Sequence, residues 1–214
     1  MPCRLCGGAA ASFHRDRKRS YSRCGTCAYV FADENCLPTP EQARARYDLH
    51  RNDPADPGYR AFLSRLTVPL LKRLKKGAAG LDFGCGPGPA VSALLGEAGH
   101  AVADYDPIYR PDQRLLEGRY DFVTFTETAE HFVRPLEDWE KMFSLLKPGG
   151  LLAVMTQLLD GVDFGSWHYK ADITHAGFYS KATSGWLARR FRARCEFLPD
   201  SVFFFEAQSD AGPG

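Results

Sequence analysis

The sequence lacks any run of about 18 consecutive apolar residues, the length that a membrane-spanning helix requires. Its first residues, Met-Pro-Cys-Arg-Leu-Cys, also lack the apolar core of a secretory signal. Neither sign of charge is in excess, because 27 Lys and Arg stand against 26 Asp and Glu among 214 residues. Net charge therefore gives no argument for a polyanionic partner, and we expect a cytoplasmic protein with no membrane partner.

The sequence also lacks the even set of cysteines that is typical of a disulfide scaffold, since it contains seven. Four of them form two Cys-x-x-Cys pairs, Cys3 with Cys6 and Cys24 with Cys27. Two such pairs together hold one zinc ion through four thiolates, which leaves no coordination position open to water. We therefore predict a structural zinc ribbon over residues 1–36.

Basic residues are concentrated in this ribbon. Within residues 1–27, six basic residues stand against the single acid Asp16: Arg4, Arg15, Arg17, Lys18, Arg19 and Arg23. Two interpretations remain open. The cluster is a solvated hairpin tip, or it grips a phosphate-bearing partner such as RNA or a nucleotide-linked substrate.

Residues 37–78 are predicted to be helical and to act as a linker or cap. Thr39, Pro40 and Gln42 have the spacing of a helix start with a capping box. Apolar residues recur at helical spacing from Tyr59 onward, and Gly77 suits the end of that helix.

The remaining chain alternates between strand-like and helix-like segments. The predicted strands are 80–83, 101–105, 120–125 and 151–155, the predicted helices are 89–98 and 135–146, and a closing hairpin is predicted at 191–198 and 202–207. This alternation indicates an α/β fold over residues 79–208, with a doubly wound, mainly parallel sheet and an antiparallel C-terminal hairpin.

A glycine-rich turn follows the first of these strands. Gly84, Gly86 and Gly88 alternate in Leu-Asp-Phe-Gly-Cys-Gly-Pro-Gly, where the missing side chains allow tight turns and close approach of a ligand. Neither a dinucleotide fingerprint nor a P-loop fits this spacing. Asp106 follows the next strand, where an acid can accept both hydroxyls of a ribose, and Asp104 is the neighbouring alternative.

The glycine turn at 81–88 resembles the first motif of class I S-adenosylmethionine-dependent methyltransferases. The run Tyr-Asp-Phe-Val-Thr-Phe-Thr-Glu at 120–127 is similar to their fourth strand, and Glu-His at 130–131 is similar to the acidic-His pair that follows it. Leu-Lys-Pro-Gly-Gly at 146–150 resembles the turn into the fifth strand. These motifs cover about residues 60–160. The segment Trp-His-Tyr-x-x-Asp-x-Thr-His at 167–175 resembles a subgroup of small methyltransferases, and the ribbon resembles that of some rRNA methyltransferases.

The resemblance implies a role for each matching residue. Asp82 would hold the amino group of the cofactor through water, Asp106 would bind its ribose, and Thr126 and Glu127 would border its sulfonium. Its methionine part would be wrapped by Gly84, Cys85, Gly86 and Gly88. The short interval between the second and fourth strands implies that the third strand and its adenine-contacting acid are reduced or missing; Asp112 is our candidate for that contact.

Three histidines are candidates for acid–base chemistry at the acceptor. His131 follows the fourth strand and is the first candidate for a general base; alternatively it is a helix-start residue that hydrogen-bonds Glu127 or Glu130. His168 and His175 could serve as base or orient the acceptor, with Asp172 fixing a tautomer. The alternative is a structural Asp/His turn. His14, His50 and His100 are not assigned to the site.

Three functions remain open. The first is methyl transfer from S-adenosylmethionine to a small-molecule acceptor, such as an aromatic or nucleotide-linked metabolite. The second is an RNA methyltransferase whose zinc ribbon docks the nucleic acid. The third is a non-catalytic adaptor that binds S-adenosylmethionine.

Overall fold

The computed structural model describes residues 1–49 and 52–208, so that His50 lies outside the described residues. The strands are β1 (Ala10–Arg15), β2 (Ser20–Cys24), β3 (Val30–Ala32), β4 (Ala79–Phe83), β5 (Ala101–Tyr105), β6 (Tyr120–Thr126), β7 (Leu146–Met155), β8 (Gly177–Phe178), β9 (Ala193–Phe197) and β10 (Val202–Ala207). The helices are α1 (Pro40–Tyr47), α2 (Pro57–Leu71), α3 (Ala90–Glu97), α4 (Pro135–Ser144) and α5 (Lys181–Arg190). None of the helices in the described ranges combines the length and the hydropathy that a membrane span requires.

Six strands form the central sheet in the order β5-β4-β6-β7-β10-β9. The first four are parallel, and β10 is antiparallel to both of its neighbours. This arrangement confirms the predicted α/β fold with a mostly parallel sheet and an antiparallel hairpin at its end. As predicted, the interval between β5 and β6 contains no strand, only a short 3₁₀ helix at Gln113–Glu117.

Helices cover both faces of this sheet. Leu66 of α2 and Val91 of α3 belong to the buried cluster on one face, together with Phe122. Trp139 of α4 and Leu187 of α5 belong to the cluster on the other face. Because both faces are buried, central strands read as continuous apolar runs rather than as an alternating pattern.

The helices before the sheet differ in part from the prediction. The capping box of α1 is present, since Thr39 accepts a hydrogen bond from the amide of Gln42 and donates its own amide to the Gln42 side chain. Helix α2 begins at Pro57, capped by Asp56, and it ends at Leu71. The predicted end at Gly77 is therefore wrong. The helix stops soon after Pro69, whose ring removes one backbone donor from the helical ladder.

The ribbon shares a sheet with the C-terminal half of the chain. Strands β1, β2, β3 and β8 form one antiparallel sheet, in which Val30 lies opposite Phe178 and Phe31 opposite Gly177. Gly177 allows this approach, because a Cβ there would collide with the ring of Tyr29. The segment after β7 is thus tied to the ribbon through backbone pairing as well as through side chains.

Candidate functional site

A cavity of about 920 Å³ opens at the carboxyl ends of β4, β5 and β6. In open α/β sheets, ligands bind at this edge. The cavity runs from the glycine turn and Asp106 to His131 and His175. Its volume lies at the upper end of the range for sites that take drug-sized ligands.

The glycine turn forms one wall of the cavity. Gly84 and Gly86 have φ angles of 76° and 66°, in the left-handed region that only glycine adopts without strain. The amides of Gly84 and Cys85 both donate to the carbonyl oxygen of Tyr105, at 2.8 and 3.2 Å. These bonds fix the turn against the end of β5.

Gly88 differs from the other glycines of the motif. It does not line the cavity. A Cβ at Gly88 would collide with the backbone carbonyl of Asn52, a residue that itself lines the cavity. The structure therefore places Gly88 where the chain preceding α2 packs closely.

Asp82 lies in the cavity wall at the end of β4 and is almost fully buried. The hydroxyl of Thr124 donates to its carboxylate at 2.7 Å. Burial disfavours the charged form and raises the pKa of Asp82 to about 7, with Asp104 and Asp106 adding repulsion. A cationic group bound nearby would favour the ionised form.

Asp106 is the acid that faces the cavity, whereas Asp104 does not line it. Asp106 comes after the last residue of β5, so the alternation of side chains along the strand no longer fixes its direction. Its carboxylate accepts the amides of Gly86 at 3.0 Å, Ile108 at 2.8 Å and Tyr109 at 3.0 Å. A carboxylate has about four lone-pair sites, so capacity for a ligand hydroxyl remains.

Thr126 and Glu127 lie where β6 ends and also line the cavity. The hydroxyl of Thr126 is buried without a hydrogen-bond partner in the described structure. Glu127 has a φ angle of 50°, which is uncommon for a residue other than glycine. Burial, and repulsion from Glu130, raise the pKa of Glu127 to about 8. Such strained and electrostatically perturbed residues are concentrated at functional sites.

Two histidines meet at the far end of the cavity. The rings of His131 and His175 are 4.9 Å apart between centroids, and the Nε2 atom of each lies 4.0 Å from Oε1 of Glu130. The Nδ1 atom of His131 lies 3.1 Å from the carbonyl oxygen of Thr174, so it donates there and leaves the lone pair on Nε2. Burial lowers the pKa of His175 to about 4, which keeps this ring neutral.

Glu130 is the cavity residue that the sequence least revealed. It is fully buried and accepts hydrogen bonds from the hydroxyls of Thr156 and Tyr169. The sequence suggested Glu130 only as an alternative partner of His131. Its contact with His175 joins two segments that are distant in the chain, and no local pattern reveals it.

Asp172 and His168 are placed differently from the prediction. Asp172 lines the cavity, but its carboxylate accepts from the amide and hydroxyl of Thr174 and from Nε of Arg46, at 2.9, 2.6 and 2.7 Å. It therefore stabilises the turn and anchors α1, and Glu130 is the acid beside the two histidines. His168 is exposed and does not line the cavity.

Asp112, the candidate for the adenine contact, also lies away from the cavity. Its carboxylate pairs with Arg114 at 2.7 Å on the exposed surface.

The four paired cysteines converge as predicted from their spacing. Their Sγ atoms all lie within 4.8 Å of one another, with Cys3 3.7 Å from Cys27 and Cys6 3.4 Å from Cys24. A tetrahedral zinc ion with Zn–S bonds of about 2.3 Å separates its sulfur ligands by about 3.8 Å. Backbone amides of the knuckles donate to three of these sulfur atoms. The donor set therefore fits zinc.

The basic cluster of the ribbon does not form one surface. Arg19 is buried, and its guanidinium donates to backbone carbonyls of the 170–175 segment. Arg4 donates to the carbonyl oxygens of Ala32 and Ala176, both at 2.9 Å. Arg15, Arg17 and Lys18 are exposed around the hairpin tip.

Comparison with known proteins places this site in a family. A family model described as a methyltransferase domain matches residues 56–192. The fold is similar to that of Burkholderia thailandensis 1,6-didemethyltoxoflavin-N1-methyltransferase, solved with 1,6-didemethyltoxoflavin and S-adenosylhomocysteine bound. The TM-score is 0.55 at 18% identity, covering 94% of this chain and 100% of that one.

Two other solved structures have a similar fold. The PH0226 protein from Pyrococcus horikoshii OT3 has a TM-score of 0.52 at 18% identity, covering 78% of this chain and 99% of that one. An O-methyltransferase family protein from Burkholderia thailandensis has a TM-score of 0.50 at 17% identity, covering 84% and 66%. No curated protein matches the chain. At these identities the structural likeness shows the fold alone.

Proposed function

Because the chain belongs to the methyltransferase-domain family and is an S-adenosylmethionine-dependent methyltransferase, we propose that it methylates a small-molecule acceptor by in-line displacement. The observation behind this proposal is the single cavity that reaches from the glycine turn to His131 and His175. One end has the groups for the donor, and the other has the groups for an acceptor. Enclosure of both in one cavity favours a small acceptor over a macromolecule.

The donor end is assigned by position. Gly84, Cys85 and Gly86 would contact the methionine part of the cofactor, and Asp82 would face its ammonium group. Asp106 would accept a ribose hydroxyl with its remaining acceptor capacity. Thr126 and Glu127 would lie near the sulfonium, whose positive charge would favour the ionised form of Glu127 despite its raised pKa.

The reaction needs close and aligned reactants. The acceptor atom forms a bond to the methyl carbon while the bond from that carbon to sulfur breaks, and the sulfonium becomes a neutral thioether. Much of the rate comes from holding these atoms in line. An acceptor that must lose a proton would transfer it to the histidine cluster, where Nε2 of His131 has a lone pair directed away from Thr174.

A zinc ion held by Cys3, Cys6, Cys24 and Cys27 completes the proposal. The spacing of the Sγ atoms and the amide donors to sulfur support a tetrathiolate site. Four thiolates leave no open position, so the ion would have a structural role.

An RNA acceptor has less support. Arg19 and Arg4, which belong to the basic cluster in the sequence, are used inside the protein. The similar fold solved with 1,6-didemethyltoxoflavin belongs to an enzyme that acts on a small molecule.

The test is a screen of cell extract for material that takes up labelled methyl from S-adenosylmethionine. We expect label in the small-molecule fraction, unaffected by ribonuclease and lost with Asp82→Asn. Label confined to RNA would overturn the choice of acceptor. No labelled product from any fraction, with cofactor binding intact, would favour the adaptor.

A further inference from the structure

One cluster in the cavity combines three metal-binding side chains. Glu130, His131 and His175 each offer a ligand atom, and these atoms lie within 4.8 Å of one another. We propose that these three residues bind a divalent first-row transition-metal ion at the acceptor end of the cavity. Binding of the ion at this second metal site is independent of the proposed function. Only the role of the ion in turnover rests on it.

The distances suit a metal ion better than direct ion pairs. Nε2 of His131 and Nε2 of His175 are each 4.0 Å from Oε1 of Glu130, too far for a hydrogen bond. An ion centred among atoms spaced in this way lies about 2.4 Å from each, a few tenths of an ångström beyond the usual zinc–nitrogen and zinc–oxygen lengths of about 2.0–2.2 Å. A small inward movement of the side chains would complete the coordination.

The electrostatics of Glu130 point the same way. Its side chain has no solvent exposure, and in the described part of the chain its only ion-pair contacts are the two distant histidines. A buried carboxylate is costly unless it is paired or coordinates a metal.

The residues around the cluster orient its ligands. Nδ1 of His131 donates to the carbonyl of Thr174, which fixes the tautomer with Nε2 free to coordinate. The hydroxyl of Thr156 donates to Oε2 of Glu130 at 2.8 Å, and that of Tyr169 donates to Oε1. Such outer contacts are typical of metal ligands because they hold the side chains in place.

Three protein ligands leave positions open toward the cavity. Two histidines and one carboxylate with open positions form a set that suits transition-metal ions. An oxygen of the acceptor, such as a hydroxyl or enol, would occupy an open position, and the ion would lower its pKa. With the ion bound, its ligands His131 and His175 would have no free Nε2 lone pair, so the acceptor proton would pass to solvent; transfer to His131 applies only to the protein without the ion.

The test measures metal binding without any need for the acceptor. Mn²⁺ is the probe, because the four-cysteine site favours softer ions, and the free ion is followed by electron paramagnetic resonance. We expect one Mn²⁺ per wild-type chain. His131→Asn and His175→Asn should each weaken binding at least about tenfold. The matched control is His168→Asn, on the same loop but exposed, which should bind like the wild type.

The outcomes separate this inference from the proposed function. Folded protein that binds S-adenosylmethionine but no Mn²⁺ would overturn the metal site and leave methyl transfer intact. Equal Mn²⁺ affinity in all four proteins would also overturn it. Binding lost only in the His131 and His175 variants would support the site even if no methylated product were found.

Discussion

Replacement of Arg19 should loosen the acceptor side of the cavity without disturbing the donor side. This arginine lies next to β2 in the ribbon and is 5% exposed. Its guanidinium carbon lies 5.2 Å from the centre of the Tyr21 ring, and the guanidinium donates to backbone carbonyl oxygens. Four carbonyl groups receive its hydrogen bonds: those of Lys170, Asp172, Ile173 and His175.

The magnitude follows from those bonds. A hydrogen bond to a charged group contributes about 1.5–3 kcal/mol, and a buried carbonyl left unpaired costs about 1–3 kcal/mol. The four effects are not additive, since the 170–175 segment can open and return its carbonyls to water. We therefore expect Arg19→Met to lower the free energy of unfolding by about 3 kcal/mol, which for a chain of this size corresponds to about 6–12 °C in Tm.

The assay combines stability with local protection. Hydrogen exchange read by mass spectrometry should show faster exchange at 170–176 in Arg19→Met, with the glycine turn at 81–88 unchanged. Calorimetry should show S-adenosylmethionine affinity within about twofold of the wild type. Arg17→Met, an exposed arginine of the same hairpin, is the control and should change neither. Unchanged protection at 170–176 in Arg19→Met would refute the reasoning.

Three further predictions concern the donor site and the ribbon. The affinity for S-adenosylmethionine should fall as pH drops below about 7. The reason is that the pKa of Asp82 is raised to about 7 in the free protein, and the ammonium group of the cofactor pairs only with the ionised carboxylate. Calorimetry on Asp82→Asn should show a weaker affinity without this pH dependence. Gly84→Ala should cost about 1–3 kcal/mol of stability and weaken cofactor binding, because φ at Gly84 is 76° and the added Cβ would press on Thr128. The control is Gly149→Ala, at a position with a φ of 72° but open space around it. Equal cofactor affinities in the Gly84→Ala and Gly149→Ala proteins would contradict us. Metal analysis of protein purified without chelator should find about one tightly held zinc per chain. Removal of this zinc should speed hydrogen exchange at 170–176. A metal-free ribbon with normal protection from exchange at 170–176 would argue against structural zinc.

The sequence predicts the elements whose signals are local. The strand, glycine turn and helix at 80–98 are predicted correctly from residues close together in the chain. A buried parallel strand requires apolar residues, and a turn with positive φ favours glycine. The convergence of the two Cys-x-x-Cys pairs is also predictable from local spacing, because each pair forms a tight turn that presents two thiolates to one ion. Helix α5 escaped prediction because Thr183, Ser184 and Gly185 weaken its helical pattern, although Ser180 supplies the N-cap.

Contacts between distant segments could not be read in this way. Arg19 looked like one more surface charge, and only the fold shows that it turns inward to the 170–175 segment. Asp172 looked like the acid that orients His175, because the two are close in sequence. In the structure Arg46 of α1 donates a hydrogen bond to the carboxylate of Asp172, and Glu130 is the acid that lies beside His175.

These contacts connect the ribbon to the His175 end of the cavity. Segment 170–176 has backbone carbonyls to satisfy and ends in the two-residue strand β8, which is too short to be stable alone. Pairing with β3 and the bonds from Arg19 and Arg4 supply what the segment lacks. His175 lies at the end of this segment. Zinc at the cysteine site would therefore stabilise the sheet edge next to His175, and we expect its removal to affect the His175 end of the cavity before it affects the end at the glycine turn.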